Sequence, residues 1–175
     1  MSKPTQPIMT SARAQLYIDL DAITSNYATL HQQLSDNATC GACVKADAYG
    51  LGQERVTQAL SAVGCEDFFV AYIEGGIALR HAIPDARIHV FSGLAGGTVE
   101  EFVHHNLTPV LNSLDEIMVW SKSGTRHAAN IHVDTGMLRL GLPPDELAVL
   151  VDNPIRLGNI NVDIVMSHLT CADMP

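Results

Sequence analysis

The chain has 175 residues, 47% of them hydrophobic, and a positive mean hydropathy, which suffices for a domain with a sizeable core and excludes a disordered protein. Its formal net charge of -9 repels phosphate backbones and anionic lipid, so nucleic acid and membrane surfaces are excluded as partners. The polar start Met1-Ser2-Lys3-Pro4-Thr5-Gln6-Pro7 has no apolar block behind it long enough for a signal peptide or a membrane span, so a cytoplasmic protein is expected.

After this leader, Gln15-Leu16-Tyr17-Ile18-Asp19-Leu20 alternates polar and apolar side chains as a half-buried strand does. Asp21 offers an N-cap, and Ile23, Tyr27, Leu30 and Leu34 fall on one helical face. The pattern then becomes strand and helix in alternation. Ala42-Cys43-Val44 reads as a strand, residues 53–63 as a helix ending at the C′ glycine Gly64, residues 67–72 as a strand and 74–81 as a helix. The same signals predict strands over 87–91, 107–111, 129–134 and 162–166. Helices are predicted over 97–105, 113–121 with a serine cap, and 143–151 with proline in the first turn. Six strands in βα register argue for a parallel sheet, either an open doubly wound sheet or a (β/α)8 barrel.

The stretch Val44-Lys45-Ala46-Asp47-Ala48-Tyr49-Gly50-Leu51-Gly52 is the most informative. A lysine closes a buried strand, and a glycine-bearing turn leads into a helix. An amine, a phenol and exposed backbone N–H groups thereby meet at one corner, which suits a Schiff base and an anion. The bland reading is a lysine that has left the strand and reaches solvent along its stem. Arg139, after a Gly-Met turn, reads equally as a partner for a surface carboxylate, and His168, at a strand end, as a hydrogen-bonded core histidine. Cys40-Gly41-Ala42-Cys43 has metal-ligand spacing but lies in an apparent strand with no second cysteine pair, so no metal site is expected. His104-His105 at a helix end complements the helix dipole.

Two features favour the barrel. Lys45, Arg139 and His168 each follow a different strand, as the reactive groups of a barrel do at the C-terminal strand ends. The glycines around Leu51 also lack the G-x-G-x-x-G spacing of a dinucleotide-binding sheet, because Arg55 stands where the third glycine would be.

These segments carry a resemblance. Val44–Gly52 as written above, with Ile18-Asp19-Leu20-Asp21-Ala22 upstream, resembles the cofactor-lysine segment of the bacterial alanine racemases. His132-Val133-Asp134-Thr135-Gly136-Met137-Leu138-Arg139-Leu140-Gly141 and Ser167-His168-Leu169-Thr170-Cys171-Ala172-Asp173 resemble two further segments of the same family, in the same order. The resemblance implies pyridoxal 5′-phosphate as cofactor and a barrel joined to a C-terminal β domain. It implies that Lys45 is the Schiff-base lysine and the base on the D face of the substrate, and that Tyr49 contacts the cofactor phosphate. It further implies that Arg139 lies beside the phenolic oxygen and His168 near the ring. Cofactor binding is thus assigned to Lys45, Tyr49, Arg139 and His168, and catalysis to Lys45.

The sequence departs from the family in two ways. Many members carry a carbamylated lysine at the position of His132, and an imidazole does not bring that negative charge, so Arg139 is expected to be held by something else. The sequence also covers only about the first half of the family. The expectation is a leader and strand outside the barrel over 1–21, about six βα units of an incomplete barrel over 22–175, and no C-terminal β domain. The intact enzyme is expected to be a homodimer that interconverts L- and D-alanine for cell-wall peptidoglycan, with this part alone inactive. The alternatives are a non-catalytic cofactor-binding or carrier module, and another amino-acid racemase or decarboxylase on the same barrel.

Overall fold

The computed structural model describes residues 14–172. Six strands lie in one parallel sheet in chain order: β1 (Ala42–Cys43), β2 (Asp67–Val70), β3 (Arg87–Val90), β4 (Thr108–Leu111), β5 (Ala128–Val133) and β6 (Asn161–Ser167). Helix α1 (Leu20–His31) precedes the sheet. Helices α2 (Gln53–Ala62), α3 (Ile73–Ala82), α4 (Val99–His104), α5 (Leu114–Lys122) and α6 (Pro144–Asp152) fill the five crossovers, the last followed by a 3-10 turn at Pro154–Leu157. A doubly wound sheet reverses its strand order at a switch point, and this one never does. The fold is an incomplete (β/α) barrel of six strands.

Residue parity divides the two faces of the sheet. Phe68, Val70, Ile88, Val90, Ala129 and Ile131 join Leu79 of α3, Phe102 of α4, and Ile117 and Trp120 of α5 in one apolar core. The rings of Phe102 and Trp120 meet edge to face with centroids 6.2 Å apart. Each such side chain contributes roughly 1.5–3 kcal/mol through burial, so this layer holds helices to sheet.

The alternate residues build a polar interior. Arg87 clamps the Asp67 carboxylate through Nε and a terminal nitrogen, both at 2.6 Å, and His89 Nε2 lies 3.0 Å from the same carboxylate. Asn130 Nδ2 donates to His89 Nδ1 at 2.8 Å, so β2, β3 and β5 are tied across the interior. Asp67, His89 and Asn130 are buried and bonded to one another, which offsets most of their desolvation, while Arg87 reaches solvent and the Asn130 carbonyl oxygen has no partner among the described residues.

The structure differs from the sequence expectation at the N-terminus. Residues 14–19 form no regular structure, so the strand expected over 15–20 is absent, and Leu16 and Tyr17 are exposed. An alternating pattern makes a strand only beside a partner, and among the described residues no strand pairs with this segment. The helix begins earlier than expected, and its cap is Asp19 rather than Asp21: Asp19 Oδ1 accepts from the Ala22 N–H at 3.0 Å. Of its predicted apolar face, Tyr27 is buried and donates its hydroxyl to Cys40 O at 3.0 Å, whereas Leu30 is 62% exposed and Leu34 also reaches solvent. The leader residues 1–13 lie outside the described residues.

Candidate active site

Lys45 follows Val44, whose N–H extends the ladder to Phe69 O at 2.9 Å. The next four residues, Ala46, Asp47, Ala48 and Tyr49, have φ of 51°, 55°, 52° and 57°, a left-handed turn over Lys45–Gly50. For non-glycine residues this costs about 1–2 kcal/mol each, and a run of four is held only by its surroundings. Those surroundings are visible. Ala48 is buried and its N–H donates to Val44 O at 3.0 Å, Gly52 N–H donates to Asp47 O at 2.9 Å, and Asp47 Oδ1 accepts from the Gln53 N–H at 2.7 Å. The last contact corrects the expectation of exposed N–H groups at this corner: the first N–H of α2 is already capped by a carboxylate, which occupies the place an anion would take.

Lys45 is half-buried and points across the C-terminal mouth of the sheet, its Nζ 5.8 Å from the ring centroid of Phe91, the residue after β3. Phe91 stacks on Phe69 and Phe69 on His89, with centroids 5.3 Å and 4.5 Å apart, so the amine stands on an aromatic column rising from the barrel interior. Among the described residues Lys45 makes no ion pair. Tyr49, 64% exposed, places its hydroxyl 3.4 Å from the thiol of Cys43, the last residue of β1. That hydrogen bond is the first cause that raises the phenol above its ordinary value, with desolvation second.

The loop after β5 is closed at its base. Leu142 N–H donates to His132 O at 2.8 Å, and Asp134 N–H donates to Leu142 O at 2.9 Å. Inside it, the Asp134 carboxylate accepts from the N–H groups of Gly136 at 2.9 Å and Leu138 at 3.1 Å, which holds its acid well below the usual carboxylate range. Arg139 is exposed on this loop and pairs with no carboxylate among the described residues, so the surface-pair reading of the sequence finds no partner. His168 is exposed just beyond β6, where Thr135 Oγ1 and Ser167 Oγ, 2.6 Å apart, tie the two strand ends together.

Lys45, Arg139 and His168 thus stand on one rim, at the C-terminal ends of β1, β5 and β6, without hydrogen bonds to one another among the described residues. Sequence reasoning missed Phe91, Asn112 and Glu116, which complete that rim. Glu116 accepts from the N–H groups of Leu94 at 3.0 Å and Asn112 at 2.7 Å, and its carboxylate crowds Gly93 so closely that a Cβ there would fall 2.3 Å from Oε2. The available signal was a polar Asn112 directly after the apolar run of β4. No group of three potential metal ligands occurs among the described residues.

A family model described as "Alanine racemase, N-terminal domain" matches residues 18–175. The chain belongs to this family. An alanine racemase of Rhodospirillum rubrum is 46% identical over 169 residues, covering 94% of this chain and 45% of that protein. One of Rhizobium meliloti is 42% identical, covering 97% of this chain and 45% of the relative. The crystal structure of a Bartonella henselae alanine racemase with covalently bound pyridoxal phosphate matches with a TM-score of 0.81 and 37% identity, over 87% of this chain and 44% of that one. The chain therefore spans about half the length of the relatives it matches.

Proposed function

We propose that this chain is the cofactor-bearing barrel portion of a pyridoxal 5′-phosphate-dependent alanine racemase, with Lys45 as the residue that carries the cofactor. The observation that supports it most is the half-buried Lys45 amine, free of ion pairs among the described residues, set over Phe91 at the mouth of a parallel barrel in a chain of this family. The residues fit such a group: an amine to bind it, an aromatic floor beneath, and a phenol and a guanidinium on the same rim. Tyr49 is proposed to reach the phosphate, Arg139 the phenolic oxygen and His168 the ring. The capped N-terminus of α2 leaves the remaining phosphate contacts to other backbone.

When bound, pyridoxal phosphate supplies the electron sink that makes the α-proton of an amino acid removable. Lys45 Nζ takes that proton on the D face and returns it there, with the Phe91 ring 5.8 Å beneath the amine. Inversion needs a second base on the opposite face, which we assign to a C-terminal β domain beyond the barrel. The intact protein is on this reading a cytoplasmic homodimer supplying D-alanine for peptidoglycan. Among the described residues no helix is long and apolar enough to cross a membrane.

The test is racemisation in deuterated water. The intact protein with pyridoxal phosphate should convert L-alanine to D-alanine with deuterium at Cα, and Lys45→Ala should reduce this to the free-cofactor rate. The 175-residue chain alone should not racemise. Undiminished turnover in Lys45→Ala would sink the proposal, and release of carbon dioxide would make the protein a decarboxylase.

A further inference from the structure

We propose that Glu116 is a positioning residue that sets the Phe91 ring beneath the Lys45 amine by tying the loop after β3 to the end of β4. Glu116 stands in the first turn of α5, three residues after the cap Ser113. That Ser-x-x-Glu spacing is the signature of a capping box, in which the glutamate turns back to the N–H of its own cap. In α4 the box is complete: Glu101 accepts from the Thr98 N–H at 2.8 Å, and Thr98 Oγ1 accepts from the Glu101 N–H at 3.3 Å. In α5 only half of it forms. Ser113 Oγ accepts from the Glu116 N–H at 3.2 Å, but the carboxylate reaches away from the helix. Its Oε1 accepts from the Leu94 N–H at 3.0 Å, in the preceding strand-helix unit, and its Oε2 from the N–H of Asn112, the residue after β4, at 2.7 Å. A helix cap explains neither partner.

Both partners lead to Phe91. Asn112 spends its two amide hydrogens on Phe91 O at 2.9 Å and Val110 O at 2.8 Å, and its oxygen faces His132 Nδ1 at 2.9 Å. On the other side the N–H groups of Phe91 and Ser92 donate to Val70 O and Ala71 O, each at 3.0 Å, so β2 and the residue after it hold that edge of the backbone. Beyond Ser92 the chain passes through Gly93, Gly96 and Gly97 and has little stiffness of its own. Among the described residues, the bond from the Leu94 N–H to Glu116 is the only side-chain hydrogen bond made to residues 92–97. The carboxylate lies against Gly93, whose φ of 60° and missing side chain permit the approach. From this pinned backbone the Phe91 ring stands with its centroid 5.8 Å from Lys45 Nζ. The attraction between an ammonium and a ring depends on where the ring face stands, so a shift of residues 91–94 moves the floor under the amine.

Two N–H donors converge on two oxygens, and only a carboxylate accepts from both. A glutamine of the same size keeps one oxygen and turns an NH2 group onto the other N–H. Glu116→Gln therefore breaks half of the tether while the Ser113 cap stays in place. Glu101→Gln makes the same exchange in α4, where the carboxylate serves its own helix, and is the control. The step from Phe91 to a cofactor rests on the proposed function, but the tether does not.

The test is NMR on the intact protein freed of cofactor, followed by cofactor titration. Glu116→Gln should speed hydrogen exchange about tenfold at the Leu94 or the Asn112 amide, the loss of one hydrogen bond to a charged group, and should shift the ring-proton signals of Phe91. Asn112→Ala, which removes the bond to Phe91 O directly, should shift the same ring signals, and Glu101→Gln should leave the amides and the ring unchanged. Dissociation constants for pyridoxal phosphate, read from its visible absorbance, then form a double-mutant cycle. Glu116→Gln and Phe91→Ala should each weaken binding about tenfold, and the double variant should be within about twofold of Phe91→Ala, because Glu116 acts through that ring. Phe91 signals indifferent to both Glu116→Gln and Asn112→Ala, losses that multiply in the double variant, or an equal loss of binding in Glu101→Gln would each overturn the proposal. If the NMR results hold and the wild-type protein binds no pyridoxal phosphate, only the functional reading fails.

Discussion

Replacing Ala46 by glycine should stabilise the protein, the reverse of the usual effect. In a right-handed helix, alanine to glycine costs roughly 0.5–1 kcal/mol, mainly because glycine has more freedom to lose on folding. Ala46, however, has φ of 51°, where its Cβ crowds the following carbonyl at a cost of about 1–2 kcal/mol. Glycine removes that cost and gives back roughly 0.4–1 kcal/mol through the unfolded chain. The difference favours Ala46→Gly by about 0.5–1 kcal/mol. Ala46 is exposed, so no packing is lost with its methyl. The control is Ala78→Gly, exposed within the right-handed helix α3, which should destabilise by about 0.5–1 kcal/mol. Urea unfolding of the two variants with unchanged slope measures both effects. Ala46→Gly should move the midpoint up and Ala78→Gly down. If both move it down equally, Ala46 is not left-handed in solution and the account of how Lys45 is presented fails.

Two further outcomes concern the scaffold. Asp67 has its pKa lowered, first by the Arg87 hydrogen bonds, so its contribution is fully present above the unfolded value near 3.9 and is lost as pH falls through the lower folded value. Asp67→Asn should then cost about 2 kcal/mol at neutral pH, and the gap to wild type should close in acid; a gap that is constant from pH 7 to pH 2 contradicts this. Arg80 donates to Pro84 O at 2.6 Å, Ala86 O at 2.7 Å, Asn106 O at 2.6 Å and His105 O at 3.2 Å, joining the end of α3 to the end of α4. A lysine cannot reach four carbonyls from one nitrogen, so Arg80→Lys should lower Tm by about 4–8 °C, and a change under about 1 °C would show that these carbonyls find water instead.

The alternation of strands and helices was legible because each unit has its own punctuation. Ser113 caps α5 by accepting from the Glu116 N–H at 3.2 Å, and Gly64 turns the chain after α2 with φ of 94°. The failures share a cause, which is that local pattern does not report the partner. Gln15-Leu16-Tyr17-Ile18 has a strand's alternation and no strand beside it. Leu30 continues a helical stripe and is 62% exposed all the same. Ala46 and Ala48 are the residue type that most favours a right-handed helix, so nothing in their identity announces a left-handed turn; burial of Ala48 and the Asp47 cap impose it. At the site, Lys45, Arg139 and His168 were visible because each is polar at the end of an apolar run. The pairing of Asn112 with His132 was not, since 20 residues separate them and only the β4–β5 register brings them together.

The central claim is that Lys45 is the residue that carries the cofactor. The sequence offers three lysines, Lys3 in the leader, Lys122 exposed at the end of α5, and Lys45. Incubation of the intact protein with pyridoxal phosphate, reduction with borohydride and peptide mapping by mass spectrometry reads the attachment point directly. The pyridoxyl group should be found on the peptide containing Lys45, and Lys45→Ala should abolish that adduct along with the cofactor's visible absorbance. An adduct on Lys122, or labelling that survives Lys45→Ala undiminished, would contradict the account.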